Sequence, residues 1–215
     1  MLESFLQDEP LSLKVCGITL VEDIHRLIDE GVPALGINFW PQSKRYCSPE
    51  KATMFQEFKG KILRVGVFVN ASLEQIKALY EDNIIDVAQL HGDESDAFVE
   101  QCVASKIPTI RAVGVRDKSE IESLYVKGCI AILLDAHAPG VYGGTGETCD
   151  WSIIPHFKKH YPELPIILAG GIKPENVKEA AALSSICALD VASGAEQSPG
   201  VKDFNKVQKL VAGLK

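Results

Sequence analysis

Residues 130–151 read IAILLDAHAPGVYGGTGETCDW, and the architecture turns on this stretch. Ile130, Ile132, Leu133 and Leu134 form a short apolar run, too brief for a free-standing helix and typical of a strand buried on both faces. The run stops on a carboxylate, Asp135. A Gly-rich segment follows (Gly140, Gly143, Gly144, Gly146), and Asp150 opens what reads as a helix. An acid at the C-terminal edge of a buried strand, beside a glycine loop, is where α/β proteins place chemistry. One strand-end Asp can also simply cap a turn. The test is whether other strand ends converge on the same place.

Outward from this unit, a strand followed by a helix recurs eight times. The expected strands are Leu13 to Cys16, Ala34 to Phe39, Ile62 to Val69, Asp86 to Leu90, Thr109 to Val113, Ile130 to Asp135, Pro165 to Ala169 and Cys187 to Val191. Helix starts are marked by Thr19, Ser48-Pro49, Ser72, Asp93, Lys118, Trp151, Pro174 and Asp203, and Gly31 stops the first helix. Strands separated by helices need right-handed crossovers and give a parallel sheet. Eight units make a single-domain closed (β/α)8 barrel over residues 12–215 the leading fold, at the short end of its size range. A doubly wound open sheet is the rival. It would carry a GxGxxG turn after the first strand, and Cys16-Gly17-Ile18-Thr19 is not one.

Bulk composition narrows the partners. The formal charge of −7 argues against nucleic acid or an anionic membrane. No apolar run is long enough to span a bilayer, and Met1 to Leu11 lacks the basic start and apolar centre of a signal peptide. Residues 1–11 are expected to be a loose tail, and the protein cytoplasmic. The six cysteines (Cys16, Cys47, Cys102, Cys129, Cys149, Cys187) show no CxxC pair, and no histidine stands at metal-ligand spacing, so no structural zinc site is expected. They read as reduced thiols, mostly small buried hydrophobes.

In a barrel the C-terminal strand ends share one mouth. In order they present Cys16, Arg45, Asn70, His91, Arg111, Asp135, Gly170-Gly171 and Asp190 to Gly194. A rim built only for structure needs caps and turn residues. This one offers a thiol, two guanidiniums, an imidazole and two carboxylates.

Six ordered motifs carry a more specific likeness: Lys14-Val15-Cys16-Gly17-Ile18, Ser43-Lys44-Arg45-Tyr46, Gln89-Leu90-His91-Gly92, Gly143-Gly144-Thr145-Gly146 with Asp150-Trp151, Leu168-Ala169-Gly170-Gly171-Ile172, and Asp190-Val191-Ala192-Ser193-Gly194. From about Leu13 to the C-terminus the chain resembles the phosphoribosylanthranilate isomerases of tryptophan biosynthesis. The resemblance implies an Amadori rearrangement of a small phosphoribosyl substrate, without cofactor or metal, by a monomer or homodimer. It places the general acid at Asp135 and the general base at Cys16.

Each role makes a physical demand. Asp135 must be raised from about 3.9 by burial, with Leu133 on the same side of the strand. Cys16 must be shifted down from about 8.5, and Lys14, two residues earlier on the same face, is the candidate to hold its thiolate. Gly170, Gly171, Ser193 and Gly194 suit a phosphate, because glycine lets backbone amides approach an anion; the same glycines also suit tight turns. Ala192 stands where the family usually has a second serine. Arg45 can grip the benzoate carboxylate with two parallel hydrogen bonds, or be a solvated surface arginine.

Asp190 is a candidate to bond a ribose hydroxyl, to orient Cys16, or to serve structure. His91 lines the mouth as a satisfied neutral imidazole or a proton carrier, and Arg111 adds positive potential or pairs with a rim carboxylate. Gly143, Gly144, Thr145 and Gly146 form a candidate lid excluding water from an iminium. Cys149 replaces an aromatic residue common in the family. Two other readings stay open: the histidine-pathway isomerase of the same barrel class, expected to carry a carboxylate at Cys16, and a catalytically silent phosphate-binding barrel.

Overall fold

Each expected strand forms, because each is a short apolar run with its polar residues confined to alternate positions. The computed structural model describes residues 1–114, 118–135 and 151–214. In chain order the elements are α1 (Leu2–Phe5), β1 (Ser12–Cys16), α2 (Val21–Asp29), β2 (Ala34–Asn38), α3 (Pro49–Ala52), β3 (Leu63–Phe68), α4 (Leu73–Glu81), β4 (Val87–Leu90), α5 (Asp96–Ala104) and β5 (Thr109–Gly114). Then come α6 (Lys118–Glu122), β6 (Ala131–Asp135), α7 (Ile154–His160), β7 (Ile166–Leu168), α8 (Val177–Ala181), β8 (Ala188–Val191), β9 (Glu196–Ser198), β10 (Val201–Lys202) and α9 (Phe204–Gly213). Strands β1 to β8 close into an all-parallel barrel, β8 pairing back onto β1 through Leu13 opposite Leu189. β9 and β10 form a separate antiparallel hairpin. Among the described residues no helix is long and apolar enough to cross a membrane.

Strand parity divides the core into two layers. Outward-facing residues such as Val15, Leu35, Ile37, Leu90, Leu134 and Val191 pack under the helices. Inward-facing Ala34, Leu63, Val87, Ile110, Ala131 and Ala188, at or near the starts of their strands, fill the barrel floor. Further up, the inward positions become polar: Lys14 and Cys16 on β1, Gln89 on β4, Asp135 on β6 and Asp190 on β8. An apolar floor therefore supports a polar mouth.

Three helix caps are where the sequence puts them. Ser48, with Pro49 at the first position, caps α3, Ser72 caps α4 and Asp203 caps α9, each accepting a backbone N–H. Others differ. Thr19 does not cap α2, whose N-cap is Leu20; its hydroxyl instead donates to the Gly200 carbonyl at 2.7 Å. α5 starts after Ser95 rather than Asp93, since the Ser95 hydroxyl accepts from Phe98 N. α8 begins at Val177, not Pro174, because Asn176 Oδ1 accepts from Lys173 N and holds the intervening turn.

The N-terminal segment is the main correction. Instead of a loose tail, residues 2–5 form a helical turn and Phe5 is fully buried in the apolar cluster of the barrel floor. Truncation to Phe5→Ala is expected to destabilise the protein by about 3–5 kcal/mol, read as a lower urea midpoint at unchanged m-value. A loss under about 1 kcal/mol would mean that the plug is not part of the core.

Candidate active site

Above the polar ring the strand ends enclose a cleft of about 790 Å³, part of it open to solvent. Cys16, Arg45, His91, Asp135, Gly170, Gly171, Asp190 and Ser193 all line it. Residues read separately from six βα units thus share one wall. Gly194 lies beside it, lining a neighbouring depression with Lys173 and Lys206. The candidate lid residues Gly143, Gly144, Thr145 and Gly146, with Cys149 and Asp150, lie outside the described residues. Asn70 and Arg111 do not line the cleft. Asn70 sits in a left-handed turn where its side chain accepts from Asp93 N. Arg111 falls between inward-facing Ile110 and Ala112, so it points outward and pairs with Asp96 at 2.8 Å.

A continuous chain of polar contacts crosses the barrel beneath the cleft. Lys14 Nζ donates to Asp190 Oδ1 at 2.9 Å and to Gln89 Oε1 at 3.0 Å. Gln89 Nε2 lies 2.9 Å from His91 Nδ1, and His91 Nε2 lies 3.1 Å from Asp135 Oδ2. Lys14 and Gln89 are both fully buried. Burial alone would pull the Lys14 ammonium down, but the Asp190 carboxylate and the Cys16 sulfur outweigh it and hold it above the ordinary lysine value. Lys14 therefore stays charged.

Cys16 ends β1 inside a pocket cut for its sulfur. Its register partner on β2 is Gly36, where a Cβ would come within 2.5 Å of Sγ. The expected downward shift of this thiol is not found. Burial pushes Cys16 up from 9.0 and Asp190 adds to that, while Lys14, Lys202 and Arg45 pull it back only in part. At rest it is a protonated thiol. The Lys14 influence is real, but desolvation is larger.

Arg45 is neither loose nor solvated. Its stem crosses Gly17, whose φ of +80° and lack of Cβ leave room for the arginine Cδ. Nε and Nη2 grip the Glu196 carboxylate at 2.8 and 2.7 Å, leaving Nη1 and the second Nη2 hydrogen without a protein partner among the described residues. That remaining edge suits a second carboxylate. Glu196 also accepts from Lys202 Nζ at 2.8 Å and Gly200 N at 3.1 Å. Although burial pushes Glu196 up, Arg45, Lys202 and the Gly200 amide hold it below the usual carboxylate value. Lys202 is itself lowered by burial, and it donates to the Cys16 carbonyl at 2.6 Å. The β9–β10 hairpin thereby fastens both Cys16 and Arg45.

After β7, Gly170 and Gly171 adopt φ of +85° and +63°. Gly194 approaches so closely that a Cβ would sit 2.0 Å from the Ile172 carbonyl oxygen. Gly194 thus has a packing role whatever it binds.

Sequence reasoning missed Glu196 and Lys202, and left Gln89 without a role. Gln89 had a signal, a polar residue at an inward position of an apolar strand. It also overlooked His156 and His160, four apart on α7, which meet Glu122 with ligand atoms within 4.8 Å of one another. Within this surface group His160 Nε2 lies 3.5 Å from Glu122 Oε1.

The comparisons with known proteins agree with this geometry. The family model for N-(5'-phosphoribosyl)anthranilate (PRA) isomerase matches residues 13–213. The N-(5'-phosphoribosyl)anthranilate isomerase of Citrifermentans bemidjiense is 39% identical over 204 residues, covering 94% of this chain and 96% of that protein. A crystal structure of the Thermotoga maritima enzyme superposes with a TM-score of 0.84 at 37% identity, covering 95% of this chain and 98% of that one. Another such isomerase, solved with reduced 1-(o-carboxyphenylamino)-1-deoxyribulose 5-phosphate, superposes at 0.81 with 34% identity, covering 95% and 98% of the two chains. The open-sheet and histidine-pathway alternatives give way to this match. The chain belongs to the N-(5'-phosphoribosyl)anthranilate isomerase family, isomerases of tryptophan biosynthesis.

Proposed function

We propose that the cleft converts N-(5-phosphoribosyl)anthranilate to 1-(2-carboxyphenylamino)-1-deoxyribulose 5-phosphate, with Asp135 as general acid and Cys16 as general base. One observation carries this reading: the thiol of the first unit and the carboxyl of the sixth line the same cleft. Asp135 gives its proton to the ribose ring oxygen as the C1–O bond breaks, and the nitrogen lone pair forms the C1=N iminium. Cys16 releases its thiol proton to solvent as the iminium charge develops and, as a thiolate, takes the C2 proton; the C2–H electrons move into a C1=C2 bond and the C1=N electrons neutralise the nitrogen. The enaminol ketonises by losing its 2-hydroxyl proton and gaining one at C1. Atoms are conserved throughout, as an isomerisation requires.

Recognition follows from the two ends of the substrate. Amides of the turns at Gly170-Gly171 and Ser193-Gly194 hold the phosphate, with Ala192 contributing no hydroxyl. The free edge of Arg45, braced by Glu196, takes the benzoate carboxylate. Asp190, committed to Lys14, supports the base side through that lysine.

Activity is followed by loss of the substrate's anthranilate fluorescence. Cys16→Ala and Asp135→Asn are each expected to lower kcat by about 10²–10⁴-fold; near-normal turnover by either would remove it from the mechanism. Arg45→Ala should lower kcat/KM about ten- to a hundred-fold, equivalent to about 1.5–3 kcal/mol, and an unchanged value would end the benzoate assignment. Because the resting thiol is raised, its alkylation by iodoacetamide, followed by peptide mass spectrometry, should still be accelerating above pH 9. A plateau below pH 8 would contradict the protonated resting state.

A further inference from the structure

The geometry points to Gln89 as a positioning residue that fixes the tautomer of His91, and through it the hydrogen that His91 presents to Asp135. Resting on the assignment of Asp135 as acid, it adds a residue given no role so far. The starting point is the ammonium of Lys14, which can donate and cannot accept. It lies 3.0 Å from one end of the Gln89 amide, so that end must be the carbonyl oxygen. The other end is then the NH2 group, which only donates, and it lies 2.9 Å from His91 Nδ1. Nδ1 must therefore offer a lone pair. A neutral imidazole with a bare Nδ1 holds its hydrogen on Nε2, and that nitrogen faces Asp135 Oδ2 at 3.1 Å.

The chain thus runs one way, from ammonium to amide to imidazole to carboxyl. Nothing at its origin can turn it round. Lys14 also donates to Asp190 at 2.9 Å, and with both Lys14 and Gln89 fully buried, water has no access to offer the amide another partner. The titratable groups around His91 are Lys14 and Cys16 from β1, Asp135 from β6 and Asp190 from β8. In its own loop are Asp93 and Glu94, the latter accepting from Asn70 N and Gly92 N.

Two consequences follow for the reaction. With its hydrogen on Nε2, His91 donates to Asp135 Oδ2 and cannot accept the carboxyl proton there. An imidazolium would also need a hydrogen on Nδ1, aimed at the Gln89 NH2. His91 is therefore an aligning neutral group rather than the proton source.

The test reads the tautomer directly. Protein labelled with ¹⁵N-histidine is examined at rest by two-bond ¹H–¹⁵N correlation, with His91 assigned by the signals lost in His91→Asn. Protonated Nε2 and bare Nδ1 at neutral pH are expected. A protonated Nδ1 overturns the proposal, and this outcome needs no variant. In Gln89→Glu the carboxylate accepts where the amide donated, so Nδ1 should gain the hydrogen while kcat falls about tenfold or more and KM stays within about twofold. An unchanged tautomer in folded Gln89→Glu also overturns it. Should the tautomer be as stated while Asp135→Asn turns over normally, the Gln89 assignment stands and the acid assignment falls.

Discussion

An ammonium sealed inside a barrel loses its hydration, and the structure tolerates that loss only if carboxylate and carbonyl oxygens replace the water. Lys14 is such a group. It is fully buried at the level where the apolar floor gives way to the polar mouth, and its contacts dictate what surrounds it. Asp190 must remain a carboxylate to match it, and Gln89 must turn its oxygen towards it. Through Gln89 the same charge reaches His91 and Asp135. One buried cation thus orders the far side of the cleft as well as its own.

A second buried cluster orders the near side. Glu196 sits between Arg45 and Lys202, and Lys202 holds the carbonyl of Cys16. Removing one member would strand the others uncompensated, which is the costly way to break a buried ion pair. Cys16 is where the two clusters meet, feeling Lys14 and Asp190 from one side and Lys202 and Arg45 from the other. Desolvation still leaves the thiol protonated at rest. In the proposed reaction the substrate meets this protonated thiol, and the developing iminium charge favours its thiolate when the base is needed.

The eight strands were legible because a parallel barrel buries both faces, and such strands stand out as short apolar runs. The candidate site was legible where a polar residue stands at or next to the end of a strand, as with Cys16, Asp135 and Asp190. Arg111 was misread because strand parity was ignored. With Ile110 and Ala112 facing inward, Arg111 had to face out. Glu196 and Lys202 were not legible, since their partners Arg45 and Cys16 are remote in sequence and the hairpin joining them follows the last barrel strand. Phe5 was hidden for a related reason, as an acidic, polar neighbourhood disguised one aromatic side chain whose pocket exists only once the barrel closes.

The central claim is spatial: within one bound sugar the Cys16 sulfur addresses C2 while the Asp135 carboxyl addresses the ring oxygen. A crystal structure of this protein with the reduced product, whose C2 is a secondary alcohol and cannot react further, tests it most directly. The account predicts Cys16 Sγ against C2, Asp135 beside the C4 hydroxyl that was the ring oxygen, and the benzoate on the free edge of Arg45. A ligand seated in the reverse direction, or with Cys16 out of contact with C2, would contradict it.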